Sequence, residues 1–445
     1  MEVVPRKRRP YSTLEKLEMK KTLVALAAVS AVSAFAQTNF QPSGAVPNPA
    51  FKGFVVTGGF DASYANLKYK GGNSVSAITY NSTSTSQITM IGIEDLGGGM
   101  KADFNYESDI NPTTQYNTGV AGLNGIPSGT AGTLAAPVTY SNFSGAQAAS
   151  TWGNGQVKVG IQTSMGYLGL GAINNAGLDW NQYSGPFGTA WGSGYGVTQG
   201  AVGGGFGSAA KVRYDNSLRY LTPTMNGLTG SLTYRAKNSQ AANSQFSGTT
   251  GLQALSGVQE LALIYNQGPI NAIVVNQIDD GSGMAGTTSA ANTAAQVYQV
   301  GKKFTTNMIG GNYTLGAATL YYGNQKQSDD GATQASTKTN RFAIKYALSP
   351  VLNVMATSNK MTYAKTGSAV DGVSTTVVGL GADYMLSKMT AVTFRYDKTQ
   401  DDTMLGLTSN QALGASGIVG AGFPGTAIAA DNTRTRTAVG LRVNF

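Results

Sequence analysis

The chain of 445 residues contains no cysteine and no histidine, and only 12% of its residues are charged. The missing cysteines rule out a disulfide framework, which fits an exported protein whose β-structure is large enough to need no staples. The missing histidines remove the commonest general base and the commonest metal ligand. Long apolar runs are also scarce. Outside one N-terminal stretch there is no run of ~20 apolar residues, so no transmembrane helix is on offer. A chain of this kind that spans a membrane must do so as a closed barrel, because hydrocarbon tolerates no unpaired strand edge. Glycine is abundant, with 59 residues against thirteen prolines, a composition of neither an ordinary α/β enzyme nor a disordered tail.

The N-terminal stretch MKKTLVALAAVSAVSAFAQ, from Met19, reads as an address. Lys20 and Lys21 form a positive start, Thr22 to Val32 an apolar centre, and Ala34-Phe35-Ala36 a small-residue cleavage site before Gln37. The apolar centre is too short to span a bilayer. Residues 1–18, with the basic run Arg6-Lys7-Arg8-Arg9, precede a signal that is complete without them and read as an extension from a start codon assigned too early. The expected organisation is therefore extension 1–18, signal peptide 19–36 and one domain over 37–445. Residues 1–36 hold seven of the 31 basic and three of the 22 acidic residues, leaving 24 against 19, a net of +5.

From residue 53 onward, alternating segments recur between alternately short and long connections. They are drawn at 54–65, 87–95, 100–108, 162–171, 177–183, 210–221, 228–237, 258–267, 270–277, 303–313, 317–326, 338–347, 351–363, 376–385, 390–399 and 433–445. They number about sixteen, each near the ~9–11 residues of a tilted membrane-crossing strand. The short connections carry turn residues, such as Leu96-Gly97-Gly98-Gly99 and Gly268-Pro269. The long ones (66–86, 109–161, 184–209, 238–257, 278–302, 327–337, 364–375 and 400–432) are rich in Gly, Ser, Ala, Asn and Thr. The fold class expected is all-β: a transmembrane antiparallel 16-stranded β-barrel, with short periplasmic turns on one side and long extracellular loops on the other. An even strand count lets the first and last strands pair and close it.

Alternation assigns faces. Over 100–107, Met100, Ala102, Phe104 and Tyr106 are expected outward, and Lys101, Asp103, Asn105 and Glu107 inward. Over 210–220, Val212, Tyr214, Leu218 and Tyr220 are expected outward, and Lys211, Arg213, Asp215 and Arg219 inward. In the terminal TRTRTAVGLRVNF, odd positions from Thr437 to Phe445 face lipid, and even ones including Arg436 and Arg442 face the interior. A soluble sandwich also alternates. A barrel of this strand number, however, has a water-filled lumen that can hold charge of both signs.

Four stretches carry a resemblance: TSQITMIGIEDLGGGMKADFNYES (85–108), RYDNSLRYLTPTMNGLTGSLTYR (213–235), VGLGADYMLSKMTAVTFRYDK (378–398) and the terminal VGLRVNF. They resemble the general trimeric porins of Gram-negative bacteria, particularly those of beta-proteobacteria. The resemblance implies an outer-membrane homotrimer that passes small hydrophilic solutes and ions by passive diffusion, surrounded by membrane lipid and lipopolysaccharide. It also implies that the outer-membrane assembly machinery reads the C-terminal aromatic, here Phe445. It further implies a third loop folded into the barrel, matched by LDWNQYSGPFGTAWGSGYGVTQGAVGGGFGSAA (178–210), with Tyr183, Phe187, Trp191 and Tyr195 as its constriction residues. Relatives often carry acidic groups there and basic ones on the facing wall. Here residues 184–210 hold no charge, and Gln87, Ile91 and Asn181-Gln182 stand where basic residues are common.

The pore-lining residues expected on this register are Lys101, Asp103, Glu107, Lys211, Arg213, Arg235, Arg341, Arg395 and Arg436, with Asp61, Asp383 and Asp397 among the inward carboxylates. The basic excess favours anions weakly, because fixed charge in a narrow channel shifts the local concentration of permeant ions. For each arginine the bland alternative is a structural pair with a nearby carboxylate. A substrate-selective channel for sugars or organic acids is the second reading, carried by the aromatic third loop. Outer-membrane barrel phospholipases and omptin-type proteases depend on histidine, so no enzyme is expected; no cofactor, metal site or nucleic-acid partner is expected either. A secreted β-solenoid or adhesin would show a short fixed repeat, and none is present.

Overall fold

The computed structural model describes residues 42, 52–69, 74–110, 112–113, 153, 155–195, 198, 212–237, 256–282, 303–330, 336–364, 371–402 and 433–445. The extension expected at 1–18, the signal peptide at 19–36, and Lys211 lie outside them. The strands are β1 (Gly53–Tyr69), β2 (Ser74–Tyr80), β3 (Gln87–Gly97), β4 (Met100–Asp109), β5 (Val157–Thr163), β6 (Gly166–Asn174), β7 (Arg213–Leu221), β8 (Leu228–Arg235), β9 (Gly257–Gln267), β10 (Ile270–Asp280), β11 (Lys303–Leu315), β12 (Ala318–Asp329), β13 (Ser336–Ser349), β14 (Leu352–Ala364), β15 (Ser374–Met385), β16 (Thr390–Asp401) and β17 (Thr433–Asn444). A helix, α1 (Ala176–Tyr183), follows β6.

All pairings are antiparallel, and β17 returns to β1, closing the sheet into a barrel. Along its other edge β1 pairs first with β3, over Gly53–Gly59, and then with β2, over Ala62–Lys68. The strands β2 and β3 are thus two halves of one stave, and seventeen strands build sixteen staves. Between the halves, residues 81–86 leave the sheet. Asn81, with φ 60°, starts the excursion, and its side chain accepts the Ser86 N–H at 2.6 Å.

Short turns gather at one end and long connections at the other. The turn from β7 to β8 ends in Asn226-Gly227, with φ 50° and 82°, between the bridged residues Met225 and Leu228. Two consecutive left-handed residues give the twist that a two-residue hairpin needs. No helix among the described residues is long and apolar enough to cross a membrane.

The barrel is inverted relative to a soluble protein. Phe54, Leu261, Val274, Leu315 and Phe342 are each more than half exposed, whereas Arg219, Arg341, Glu260 and Asp397 are buried. An outward apolar band around a polar interior is the arrangement hydrocarbon demands of a barrel.

Two expectations are corrected here. The segments drawn at 162–171 and 177–183 are not two strands. Thr163 pairs with Gly166, so a hairpin turn sits inside the first segment, and its strands are β5 and β6. Residues 177–183 belong to α1, because Asn175 caps them: its side chain accepts from Gly177 N at 2.9 Å and Leu178 N at 3.3 Å. The other correction concerns Tyr214, expected outward. The pairing steps from Gly171↔Ser217 to Ile173↔Tyr214, one extra residue on β7, and Asn216 takes φ 51° at this bulge. The bulge flips the alternation above it. Tyr214 is consequently buried beneath the Arg235 guanidinium, 5.0 Å from its ring centre.

Candidate functional site: the loop-lined lumen

The third connection enters the barrel as α1. Its start sits on Glu260 of β9, whose Oε1 accepts the Ala176 N–H at 2.9 Å and the Thr233 hydroxyl at 2.8 Å, while Oε2 accepts Gln277 at 2.9 Å. A carboxylate suits a helix N-terminus, where free N–H groups and the helix dipole favour negative charge. Asp179, in the first turn, binds Arg219 Nη2 at 2.7 Å; the same guanidinium donates to Ser231 Oγ and Asn174 O.

The apolar side of α1 packs on the wall. Ala176, Trp180 and Tyr183 form a buried cluster with Ile264, Ile273, Val275 and Met308. Trp180 donates its indole N–H to Ile309 O at 2.9 Å. Glycine permits the approach: a Cβ at Gly323 would lie 2.6 Å from Ser184 Cβ. The Tyr183 hydroxyl donates to Asn266 Oδ1 at 2.7 Å, and burial pushes its phenol pKa up.

Beyond α1 the loop lies along the wall of β13 to β17, with arginines against its aromatic rings. The Arg341 guanidinium sits 5.0 Å from the Trp180 ring centre, Arg395 5.7 Å from Phe187, and Arg436 4.4 Å from Trp191. Arg341 also donates to Ser184 Oγ at 2.9 Å, Ser193 O at 2.8 Å and Asn359 Oδ1 at 2.7 Å. Asp397 accepts Arg436 Nε at 3.0 Å and the Gly192 N–H at 3.0 Å. From the other side, Trp191 N donates to Ser82 O in the excursion between β2 and β3. That excursion is held by Asp61, whose Oδ2 accepts the N–H groups of Thr83 and Ser84. Thr198, further along, accepts from the Thr339 hydroxyl. An uncharged loop is therefore fastened by cation–π contacts and by backbone groups bonded to wall charges.

The other residues singled out from sequence fall as follows. Asp103 is buried in an ion pair with Lys158, and Tyr167 donates to the same carboxylate. Glu107 pairs with Arg213 at 3.1 Å. Arg235 donates to the Ser256 carbonyl and hydroxyl. Arg395 pairs with Asp383 at 2.7 Å. Tyr195 is half-buried, its N–H on Ser193 Oγ at 3.0 Å. Phe445 exchanges backbone hydrogen bonds with Gly58, each 3.1 Å, and its ring lies 5.6 Å from that of Phe60. Three inward cations stand apart. Lys101 and Lys345 are half-buried and form no ion pair among the described residues; Arg442 faces Asp61 across the sheet without reaching ion-pair distance. All three lie toward the short-turn end of their strands.

Lys158, Asp179 and Glu260 were missed from sequence. Lys158 fell in a segment drawn as loop, although Val157 and Val159 flank it in a strand-like alternation. Asp179 and Glu260 have no local signal, because their partners come from distant strands.

A family model described as Gram-negative porin matches residues 22–404. An outer membrane porin protein of Bordetella pertussis is 25% identical over 426 aligned residues, covering 82% of this chain and 99% of that protein. Among solved structures, an anion-selective porin from Comamonas acidovorans superposes with a TM-score of 0.60 at 18% identity, over 88% of this chain and 99% of the other. A trimer form of OmpT, an outer membrane protein of Vibrio cholerae, gives 0.54 at 12% identity, over 88% and 100%.

Proposed function

Given that this chain belongs to the Gram-negative porin family, and so is a non-enzymatic channel of the outer membrane, we propose that its lumen prefers anions weakly and is narrowed by the loop that begins with α1. The preference is carried by one observation. The mid-barrel arginines Arg219, Arg395 and Arg436 are matched by Asp179, Asp383 and Asp397, whereas Lys101 and Lys345 have no such partner and Arg442 only a distant one. Two to three unmatched positive charges near the short-turn end bias the local ion population without binding any solute tightly. The anion-selective relative of similar fold supports this direction.

On this reading Lys101, Asp103, Glu107, Arg235, Arg341, Arg395 and Arg436 face the lumen from the wall, and Tyr183, Phe187, Trp191 and Tyr195 belong to the constriction. Size exclusion comes first and electrostatic bias second. The assembly is a homotrimer, set in lipid and lipopolysaccharide, and the assembly machinery reads Phe445. Residues 19–36 direct export, and 1–18 are an extension that export does not need.

Reversal potential across a salt gradient in a planar bilayer tests the preference. The wild type is expected to pass anions over cations by a small factor, and K345Q/R442Q to lose most of that bias at nearly unchanged conductance. Cation preference in the wild type overturns the proposal.

A further inference from the structure

The break in the second stave is filled by residues 81–86, Asn-Ser-Thr-Ser-Thr-Ser, a run with neither a charged nor an apolar side chain. It turns inward: Ser82 and Ser86 are wholly buried, and the Thr83 hydroxyl donates to Thr393 Oγ1 of β16 at 3.0 Å. Since β1 and β17 lie between that strand and the second stave, residues 81–86 form a strap across the inner side of the seam that closes the barrel. A segment without apolar side chains gains little from burial, so hydrogen bonds must hold it.

Those bonds converge on Asp61. β1 pairs with β3 up to Gly59 and with β2 from Ala62 on, which leaves Asp61 without a strand partner along that edge. Ser86 takes the open place, its Oγ accepting the Asp61 N–H at 2.9 Å. The carboxylate turns into the strap. Its Oδ2 accepts the N–H groups of Thr83 at 2.5 Å and Ser84 at 3.1 Å, and its Oδ1 accepts the hydroxyls of Ser63 at 3.3 Å and Ser82 at 3.4 Å. Asp61 is wholly buried, and two backbone with two hydroxyl donors give an ionised carboxylate the partners it needs where water is excluded.

Strand pairing offers Asp61 a different partner. Arg442 of β17 stands directly opposite on the same inward face, where Cβ atoms are about 5 Å apart. The Arg442 guanidinium lies instead over Gly59, where a Cβ would come within 3.0 Å of Nη2. Arg442 remains half-buried, and its Nη1 has no hydrogen-bond partner among the described residues. An aspartate and an arginine facing each other across a ladder are placed to pair; here the strap's donors hold the aspartate.

We propose that Asp61 and the strap 81–86 set the ion preference of the lumen. By engaging and covering Asp61, the strap leaves Arg442 unmatched, so a permeating ion meets the cation and not the carboxylate. Asp61 is a positioning residue in this device, acting through Arg442. The inference rests on the reading of Lys101, Lys345 and Arg442 as the source of the anion bias. Opening the strap uncovers Asp61, lets it swing to Arg442, and cancels one of the two to three unmatched charges.

The test is a cycle of reversal potentials across a salt gradient, on full-length barrels whose folding is checked by heat-modifiable migration. T83P removes one N–H that holds the carboxylate. N81G/S86A loosens the base of the strap instead, with glycine keeping the φ of 60° at residue 81 accessible, and decides the matter where T83P does not fold. Either variant should lose about a third to a half of the wild-type bias, as one of two to three unmatched cations gains a partner. The same changes are then made in D61N, whose side-chain oxygen still accepts but carries no charge. D61N alone should shift toward anions, and opening the strap in D61N should cost no anion preference. The cycle separates the proposal from plain widening of the lumen. Because the Trp191 N–H rests on Ser82 O, an opened strap also frees that part of the third loop, and widening would dilute the bias in both backgrounds alike. Equal loss in both backgrounds, no change on opening the strap, or a shift toward anions in the Asp61 background overturns the proposal. Cation preference in the wild type overturns the reading beneath it, while the direction of change on opening the strap still reports on the strap itself.

Discussion

Replacing Asp397 by alanine should undo one corner of the third loop. The carboxylate is wholly buried and joins the Arg436 guanidinium to the Gly192 N–H, while Arg436 lies over the Trp191 ring at 4.4 Å. A hydrogen bond to a charged group contributes about 1.5–3 kcal/mol. A cation–π contact adds about 0.5–2 kcal/mol. Together about 2–5 kcal/mol fastens this corner, and D397A removes the first part and releases Arg436 from the second. A loss of even ~2 kcal/mol changes a docked-to-undocked ratio by about thirtyfold. The full ~3–5 kcal/mol cost of stranding a buried charge does not fall on the barrel, because the freed Arg436 can reach lumenal water. Single-channel recording should therefore show larger and noisier conductance. The reversal potential should also shift toward anions, since the lumen gains one unit of positive charge. D397N separates the two effects: its side-chain oxygen can still accept from Gly192, so selectivity should shift while noise stays near wild type. Wild-type conductance, noise and reversal potential in D397A would refute this account of how the loop is held.

Three further outcomes follow from other parts of the barrel. N216V places a β-branched residue at φ 51° and should lower stability by about 1–2 kcal/mol in urea titration of the heat-modifiable band, whereas N216G should be near neutral. G323V drives a side chain into Ser184 and Trp180, with its Cβ 2.6 Å and 3.0 Å from their nearest atoms, at a cost of about 1–3 kcal/mol; tryptophan emission should shift to the red, and unchanged emission counts against the packing described for α1. F445A loses the ring contact with Phe60, about 0.5–1.5 kcal/mol, and little else in a barrel refolded in detergent, yet its yield in the outer membrane should fall steeply. A yield loss no larger than the stability loss would remove the signal role of Phe445.

Strand faces were legible where alternation ran without interruption. On β17, Arg434, Arg436 and Ala438 are buried while Val439 and Leu441 are exposed, as period two requires. Where a local backbone event intervened, the reading slipped: the extra residue at Asn216 turned Tyr214 inward, and the turn at Thr163–Gly166 was hidden inside an apparently continuous segment. A one-residue bulge changes every face beyond it yet leaves no mark in composition. The seating of the third loop was not legible, because nothing local to an uncharged run names its partners. Trp191 finds Arg436, and Gly192 finds Asp397, only once the barrel has curved those strands toward the loop. The second stave is broken at residues 81–86: its lower half was read as a strand at 87–95, but its upper half, β2, has only seven residues and was read as part of the 66–86 loop.

The pairing of β1 with β17 carries a consequence in time. The Thr57 hydroxyl meets the Phe445 carbonyl across a sequence separation of 388 residues. Bringing such distant segments together costs about 5 kcal/mol of chain entropy on a logarithmic loop-closure scale, before either seam strand gains its second partner. Until then both seam strands present bare hydrogen-bonding edges, the form of sheet most prone to pair with a neighbouring molecule. Hairpins such as β11–β12 and β13–β14 close over a few residues and can form early, while the seam waits for nearly the whole cylinder. The slow step in making this protein is thus expected to be the last lateral zipper. Its hazard is the interval beforehand, when an unsealed sheet must cross an aqueous compartment without meeting another copy of itself.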